Sequence, residues 1–351
     1  MHNLLKQINN FIYICTKGIL LENFKESSIN PIFSVIIPLF NSEETIKTAV
    51  RSIQNQNENN FEIIIVEDCS KDNSINVIKK MQNEDSRIKI IINKKNKGAL
   101  FSKSIGALNS KGKYIFFLDS DDLFINANLF KIIYQHIGKG IDIVEFSGFA
   151  SENKYLNINQ FPKVPKYLQY KQNNEIVRQP RLSKYIYQKK NNKIIRLIDG
   201  FLWGKCINVE TYKNTLRYLG KWIFEEKVNY GDDRIINFAL FRVANSFKFI
   251  EEYGLIYYYK NPSSLTNRIN DIEKSHDELI NIMFLFNLTK ISGESEIVLF
   301  EINFRWKLII RPGLNEENKR YARNIFHQIL KCRYINYRNK IKIFIYLTEL
   351  E

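Results

Sequence analysis

Between residues 33 and 122, short apolar runs alternate with amphipathic stretches, and two of the runs end in acid. The runs cover residues 33–38, 61–66, 88–92 and 114–118. Only the last of these is unbroken, and an unbroken apolar run that short suits a strand buried on both faces. The stretches between them carry apolar residues at helical spacing, as in Ile46, Ala49, Val50 and Ile53. Regular alternation of this kind predicts a parallel, doubly wound α/β sheet flanked by helices. The most informative run is Tyr114-Ile115-Phe116-Phe117-Leu118-Asp119-Ser120-Asp121-Asp122. Its carboxylates fall at the C-terminal end of a strand, where open α/β sheets bind ligands. On an extended strand Asp119 and Asp121 point the same way. Two hard oxygen donors there suit Mg²⁺ or Mn²⁺.

The boundaries are expected as follows. Pro38 stops the first strand. Asn41 starts a helix, with Glu44 as its capping-box partner. The second strand ends in Glu67-Asp68, and Asn96-Lys97-Gly98 precedes a helix through Leu108. Neither GxGxxG nor GxxxxGK[ST] occurs, so a nucleotide would be held at the acidic strand ends.

Three stretches resemble successive signatures of the family 2 glycosyltransferases. They are Ser34-Val35-Ile36-Ile37-Pro38-Leu39-Phe40-Asn41, Val66-Glu67-Asp68-Cys69-Ser70-Lys71-Asp72 and Phe117-Leu118-Asp119-Ser120-Asp121-Asp122. Downstream, Trp203-Gly204-Lys205 is similar to the family's Trp-x-Lys segment, and Tyr230-Gly231-Asp232-Asp233 to its acidic pair. Tyr257-Tyr258-Tyr259-Lys260 and Ser263-Ser264-Leu265-Thr266 resemble the closing Tyr-rich strand and Ser-Thr turn. The resemblance implies a GT-A fold, Rossmann-like, over residues 31–268. Residues 31–125 form its nucleotide-sugar half and 126–268 its acceptor half. It also implies an inverting transfer of a hexosyl or N-acetylhexosaminyl group from a nucleotide sugar, UDP-linked by expectation, to a hydroxyl. Asp119 and Asp121 then hold the Mn²⁺ or Mg²⁺ ion. Asp68 contacts uracil in a pocket shaped by Pro38 and Asn41, with Glu43 nearby. Asp233 is the general base and Asp232 its reserve; the alternative for that pair is a helix N-cap. Lys103 stands where the family has Arg and keeps the charge without the planar fork. Trp203 is a candidate to stack on a sugar and Lys205 to meet a phosphate, each with a buried structural alternative.

Composition narrows the partners. The 351 residues carry 52 Lys and Arg against 37 Asp and Glu, a net +15 that suits an anionic partner. Ten basic residues and one acid lie between positions 163 and 196, inside a polar excursion over 151–200. That excursion reads as a solvated insertion or as a surface for an anionic acceptor or lipid headgroup. Cys15, Cys69, Cys206 and Cys332 form no CxxC pair, so reduced thiols are expected. Residues 1–30 read as a helical arm, with Leu4, Ile8, Phe11, Ile12 and Cys15 on one face, and residues 269–351 as a helical C-terminal region. No signal peptide or spanning segment is evident, so the expected place is the cytoplasm or a membrane surface. Acceptors in view are carbohydrate, lipid-linked or protein; nucleic acid is not expected, having only net charge behind it. Two rivals remain. An aspartate-nucleophile phosphatase also opens with DxD, but on its first strand and with a small or β-branched residue where Leu123 stands. The other is a non-catalytic GT-A domain that binds a partner through its basic surface.

Overall fold

The computed structural model describes residues 19–22, 30–138, 140–151, 176–178, 187–190, 193–196, 202–258, 261–262, 264, 267, 269–289, 297–298, 301–302, 315–331, 343 and 346. Strand β1 is Ile19–Glu22 and β2 is Phe33–Leu39. Helix α1 (Ile46–Gln54), β3 (Phe61–Glu67), α2 (Ser74–Glu84), β4 (Ile88–Asn93), α3 (Ala99–Leu108) and β5 (Tyr114–Phe117) follow in strict alternation. Then come β6 (Leu123–Phe124), α4 (Leu129–Ile137), β7 (Ile143–Ser151), β8 (Ile176–Arg178) and a hairpin of β9 (Tyr187–Lys190) and β10 (Lys193–Arg196). The chain continues through β11 (Lys205–Asn208), α5 (Val209–Leu219), a 3₁₀ turn at Lys221–Phe224, α6 (Asp232–Val243) and β12 (Ser246–Tyr258). Helices α7 (Asp271–Thr289) and α8 (Glu316–Lys331) lie beyond.

Among the described residues one ten-stranded sheet runs β1-β4-β3-β2-β5-β11-β7-β12-β6, with β8 also on β12. β4, β3, β2 and β5 are mutually parallel, as expected. β11 enters antiparallel between β5 and β7. Alternate residues of β2 and β3 supply the two cores. Ile36, Ile64 and Val66 face a core with Leu100, Ile105, Leu216 and Ile235, while Val35, Ile37, Ile63 and Ile65 face one with Val50, Ile78 and Phe130. Helices therefore cover both faces of the sheet. The expected α/β class with a helical C-terminal region is the one found; α7 and α8 bury Leu279, Ile282, Phe286, Ile325 and Phe326 together.

Several boundaries differ from expectation. Pro38 does not stop β2; the strand continues to Leu39 and pairs Pro38 with Val66. The carbonyls of Ile36 and Leu39 accept from Leu118 N–H and Asp68 N–H, so even positions face β5 and odd ones β3. The missing N–H of Pro38 thus falls on the side where β5 has already ended. The capping box at Asn41 does not form. Helix α1 begins at Ile46, after Thr45, and no side chain caps it. Residues 19–22 are a strand antiparallel to β4, where a helical arm was expected. The Leu4–Cys15 stripe, Cys332 and most of 151–200 lie outside the described residues.

A buried polar knot closes the N-terminal edge of the parallel strands. Glu62 accepts from Ser34 Oγ at 2.6 Å and Lys111 N–H at 2.6 Å, and pairs with Lys89. Gly112 N–H meets Ser34 Oγ at 2.9 Å. A Cβ on Gly112 would lie 2.6 Å from Ser34 N and 2.7 Å from Phe33 C, both backbone. Gly112→Ala should therefore lose about 1–3 kcal/mol, read as a lower urea midpoint at unchanged m-value.

Candidate active site

The C-terminal ends of the parallel strands are stitched into one rim by short polar side chains. Asn41, at φ +49°, donates its N–H to Ser70 Oγ (3.0 Å), and its Oδ1 accepts Lys71 N–H (2.7 Å). Ser42 N–H reaches Ser74 Oγ at 2.9 Å, and Ser42 Oγ lies 2.8 Å from Ser120 Oγ. Glu43 N–H donates to Asp72 Oδ2 (3.1 Å) while Glu43 Oε2 accepts Asn73 N–H (2.7 Å). The loops after β2, β3 and β5 are thereby held side by side. Asn41 to Thr45, with Lys71 and Asp72, line a cavity of about 320 Å³.

Asp68 is 3% exposed. Its Oδ1 accepts Asn93 Nδ2 and Lys97 N–H, both at 2.8 Å, and its Oδ2 accepts Gly98 N–H at 2.7 Å. Burial raises its carboxyl above the usual range, against the lowering effect of those hydrogen bonds. The expected open uracil acceptor is thus first an anchor for the loop that starts α3, with one lone pair of Oδ2 remaining.

The turn after β5 carries the acidic motif. β5 stops at Phe117, so Asp119 and Asp121 sit on a turn closed by Asp122 N–H to Asp119 O (3.0 Å), not on an extended strand. Exposure alternates along it: Asp119 and Asp121 are half-buried, Ser120 and Asp122 buried. Asp121 Oδ2 accepts Asn261 Nδ2 at 2.9 Å. Asp122 Oδ1 accepts Tyr258 N–H (3.2 Å), while its buried Oδ2 has no hydrogen-bond partner among the described residues. Burial, then Asp121 and Asp119, push the Asp122 carboxyl well up. This acceptor-rich turn fits a hard divalent cation, with Asp119 and Asp121 as the residues that would hold it.

Lys103 occupies the centre of the cleft. It projects from α3, a helix buried along Leu100 to Ala107, and is 4% exposed. Its Nζ lies 2.7 Å from Asp233 Oδ1, 3.2 Å from Asp232 Oδ2 and 3.6 Å from Asp119 Oδ1. Burial alone would lower its pKa; Asp119, Asp232 and Asp233 together raise it well above the usual value. Burial, offset by Lys103 and reinforced by Asp233 and Asp119, lifts Asp232 to about 7. Asp233 Oδ2 also accepts Leu202 N–H at 3.0 Å. Neither Asp232 nor Asp233 caps α6: its N-cap is Gly231, and no side chain caps it. The cap alternative for this pair does not hold.

Residues 34–206 match the family described as Glycosyl transferase family 2. The chain is built on a family 2 glycosyl transferase domain. It is 37% identical over 101 residues to an uncharacterized glycosyltransferase of Haemophilus influenzae, covering 29% of this chain and 40% of that protein. It is 26% identical over 236 residues to the uncharacterized glycosyltransferase EpsJ of Bacillus subtilis, covering 67% and 63%. A third relative, 37% identical over 100 residues, is the GalNAc(5)-diNAcBac-PP-undecaprenol beta-1,3-glucosyltransferase of Campylobacter jejuni, covering 28% and 32%. The chain thus spans 40% and 63% of the length of the first two relatives. The structure of S. aureus TarS 1-349 in complex with UDP-GlcNAc superposes with a TM-score of 0.62 at 16% identity, over 90% of this chain and 87% of that one. The GT-A architecture is shared.

Two further expected site residues are held by structural contacts. Lys205, on β11, is 2% exposed with its Nζ 3.7 Å from Glu145, so it is a buried ion pair inside the sheet rather than an open phosphate ligand. Trp203 is half-buried, stacked on Tyr257 (ring centroids 6.1 Å apart, 17° between planes). Ser42, Ser70, Ser74, Ser120 and Asn261 escaped the sequence reading; no local signal distinguishes them. Lys103 left one: it is the single charge in Ala99–Leu108, and a charge on an otherwise apolar or small helix needs a buried partner.

Lys103→Met should leave three carboxylates together without their cation. Removing one member of a buried ion cluster costs about 3–5 kcal/mol. The Asp232 carboxyl, already raised to about 7, would rise further, so the deficit against the native chain should grow as pH rises through about 7. Urea melts should therefore show a larger loss at pH 8 than at pH 5.5; a pH-independent loss would contradict the charge argument.

Proposed function

We propose that this chain transfers a sugar from a nucleotide-diphospho-sugar of the UDP class to an acceptor hydroxyl, with inversion at the anomeric carbon. The observation that carries this reading is the Lys103, Asp119, Asp232 and Asp233 cluster at the C-terminal rim of the parallel strands. When all are ionised, three carboxylates around one ammonium leave negative charge uncompensated, which favours both a divalent cation and uptake of a proton.

Donor binding falls to the rim. Pro38, Asn41 and Glu43 border the nucleotide, and Asp68 offers its remaining lone pair to the N3–H of uracil. Asp119 and Asp121 would hold Mn²⁺ or Mg²⁺; when bound, the cation supplies Lewis-acid stabilisation of charge on the leaving diphosphate. Among the described residues no three acidic, His or Cys side chains group closely enough to hold an ion by themselves, so water and diphosphate oxygens would complete its shell.

Transfer needs a base on the opposite side of the sugar. The acceptor oxygen forms the new bond to the anomeric carbon as the bond to the phosphate oxygen breaks. The bonding pair leaves with UDP, and the hydroxyl proton passes to Asp233. Two donors, Lys103 Nζ and Leu202 N–H, fix the orientation of Asp233, while among the described residues Lys103 alone donates to Asp232. The sugar is of hexosyl or N-acetylhexosaminyl type. UDP-GlcNAc in the TarS complex and the undecaprenol-linked name of the Campylobacter relative favour a UDP donor and a lipid-linked acceptor. A net charge of +15 would help the chain meet an anionic membrane surface from the cytoplasmic side. Among the described residues no helix is long and apolar enough to cross a membrane.

Calorimetric titration of UDP should show tighter binding with Mn²⁺ than with EDTA, and Asp121→Asn should erase the difference; equal affinity with and without metal would sink the cation's role. Asp233→Asn should keep UDP affinity and slow transfer by about 10²–10⁴-fold. Its amide turns an NH₂ toward Lys103 or Leu202 N–H, so a melt on the same preparation must show the protein folded. In the native enzyme, kcat should fall as pH drops below about 7, where Asp232, beside the base, takes up a proton. A flat profile from pH 6 to 8 would remove Asp232 from proton transfer.

A further inference from the structure

Helix α7 and the turn that carries the acidic pair both lie beyond the matched residues 34–206, and the helix's polar face meets that turn. Asp277 Oδ2 accepts the N–H groups of Asn229 at 3.0 Å and Tyr230 at 2.9 Å. Asn281 Nδ2 donates to Tyr230 O at 3.0 Å. Glu278 Oε2 takes Arg234 Nη2 at 2.6 Å. These residues are spaced i, i+1 and i+4, so they share one side of the helix. Asp277, Glu278 and Asn281 are 6%, 0% and 2% exposed. A helix that only filled space would bury apolar side chains there, as α7 does on its other side with Leu279, Ile282 and Phe286. The turn itself is tightly bounded. Gly231 has φ +75°, and a Cβ there would lie 2.0 Å from Arg234 Nη2 and 2.7 Å from Asn281 Nδ2. Asn229, Tyr230 and Arg234 bracket Asp232 and Asp233, so fixing them fixes the entry of α6 and the direction of both carboxylates.

We propose that Asp277, Glu278 and Asn281 are positioning residues for sugar transfer: α7 clamps the Asn229–Arg234 turn and so aims Asp232 and Asp233 into the cleft. This rests on the proposed role of that pair as the proton acceptor. The C-terminal region is then part of the active-site framework, and whatever displaces α7 lowers turnover while sparing donor binding. Misplacement of a reacting group by about 1 Å costs on the order of 10²-fold in rate.

The test uses the full chain with Mn²⁺ and a panel of UDP-sugars. Asp277→Ala should speed amide exchange at Asn229 and Tyr230, lower kcat by about 10²-fold and leave the affinity for UDP within about twofold. Asp277→Asn keeps an oxygen that can accept both N–H groups and should restore most of kcat. Asn281→Ala, which removes one bond, should give a smaller loss of the same kind and serves if Asp277→Ala fails to fold. Unchanged exchange in a folded variant would show that the clamp does not exist. Faster exchange with kcat within twofold of native would overturn the positioning role while leaving the transfer reading intact. No turnover by the native chain with any donor would instead overturn the transfer reading, and the positioning role with it.

Discussion

The structure turns on a buried ammonium among three carboxylates. Lys103 is almost fully removed from water, and a lone charge there would be untenable without compensation. Asp119, Asp232 and Asp233 supply it from two other parts of the chain, one after β5 and one at the start of α6. The same contacts that make Lys103 tolerable bring together carboxylates that would otherwise repel one another. Each side of the cleft thereby stabilises the other. Three acidic side chains can crowd around one spot in a sheet-end cleft because a cation is built into the helix beneath them.

Around that centre the rim is held by hydrogen bonds rather than by apolar packing. Ser42, Ser70, Ser74 and Ser120 link three loops, and Glu67 takes the N–H groups of Cys69 and Ser70. The turns are tight enough to force Asn41 and Cys69 into the left-handed region, at φ +49° and +66°. Backbone strain of that kind persists where the surroundings over-determine it. Here the cross-loop bonds do so, and they leave a cavity of about 320 Å³ beside the acidic turn.

Much of this was legible in the chain. The parallel strands β2 to β5 announce themselves because burial on both faces leaves short, mostly apolar runs, and α1 to α3 because their apolar residues follow a 3.6-residue period. The acidic strand ends were equally visible. What the chain hid depends on partners distant in sequence. The run from Tyr114 to Leu118 does not say that the strand ends at Phe117, since Leu118 is as apolar as its neighbours; the turn begins where β2 can pair no further. Ile19 to Glu22 reads as helix until β4 offers an open edge. Lys205 looks like a ligand until Glu145, its register partner on the neighbouring strand β7, is placed beside it. Lys103 reads only as a charge without the fork of Arg, because nothing near it in sequence reveals three carboxylates.

The nucleotide side and the base side form one mechanical unit. Asp68 holds the N–H groups of Lys97 and Gly98, and so sets where α3 begins. Five residues later that helix delivers Lys103 to Asp232 and Asp233. Near its start, Leu100 N–H reaches Val228 O at 3.3 Å, just ahead of the turn that bears the acidic pair. A carboxylate proposed to border the nucleotide is therefore joined to the candidate base through one loop and little more than one helical turn. A nucleotide that drew on Asp68 would act on the start of α3, and so on the lysine between the two halves. The site is better described as a single hydrogen-bonded lever than as separate donor and acceptor pockets, with α7 bracing the far end.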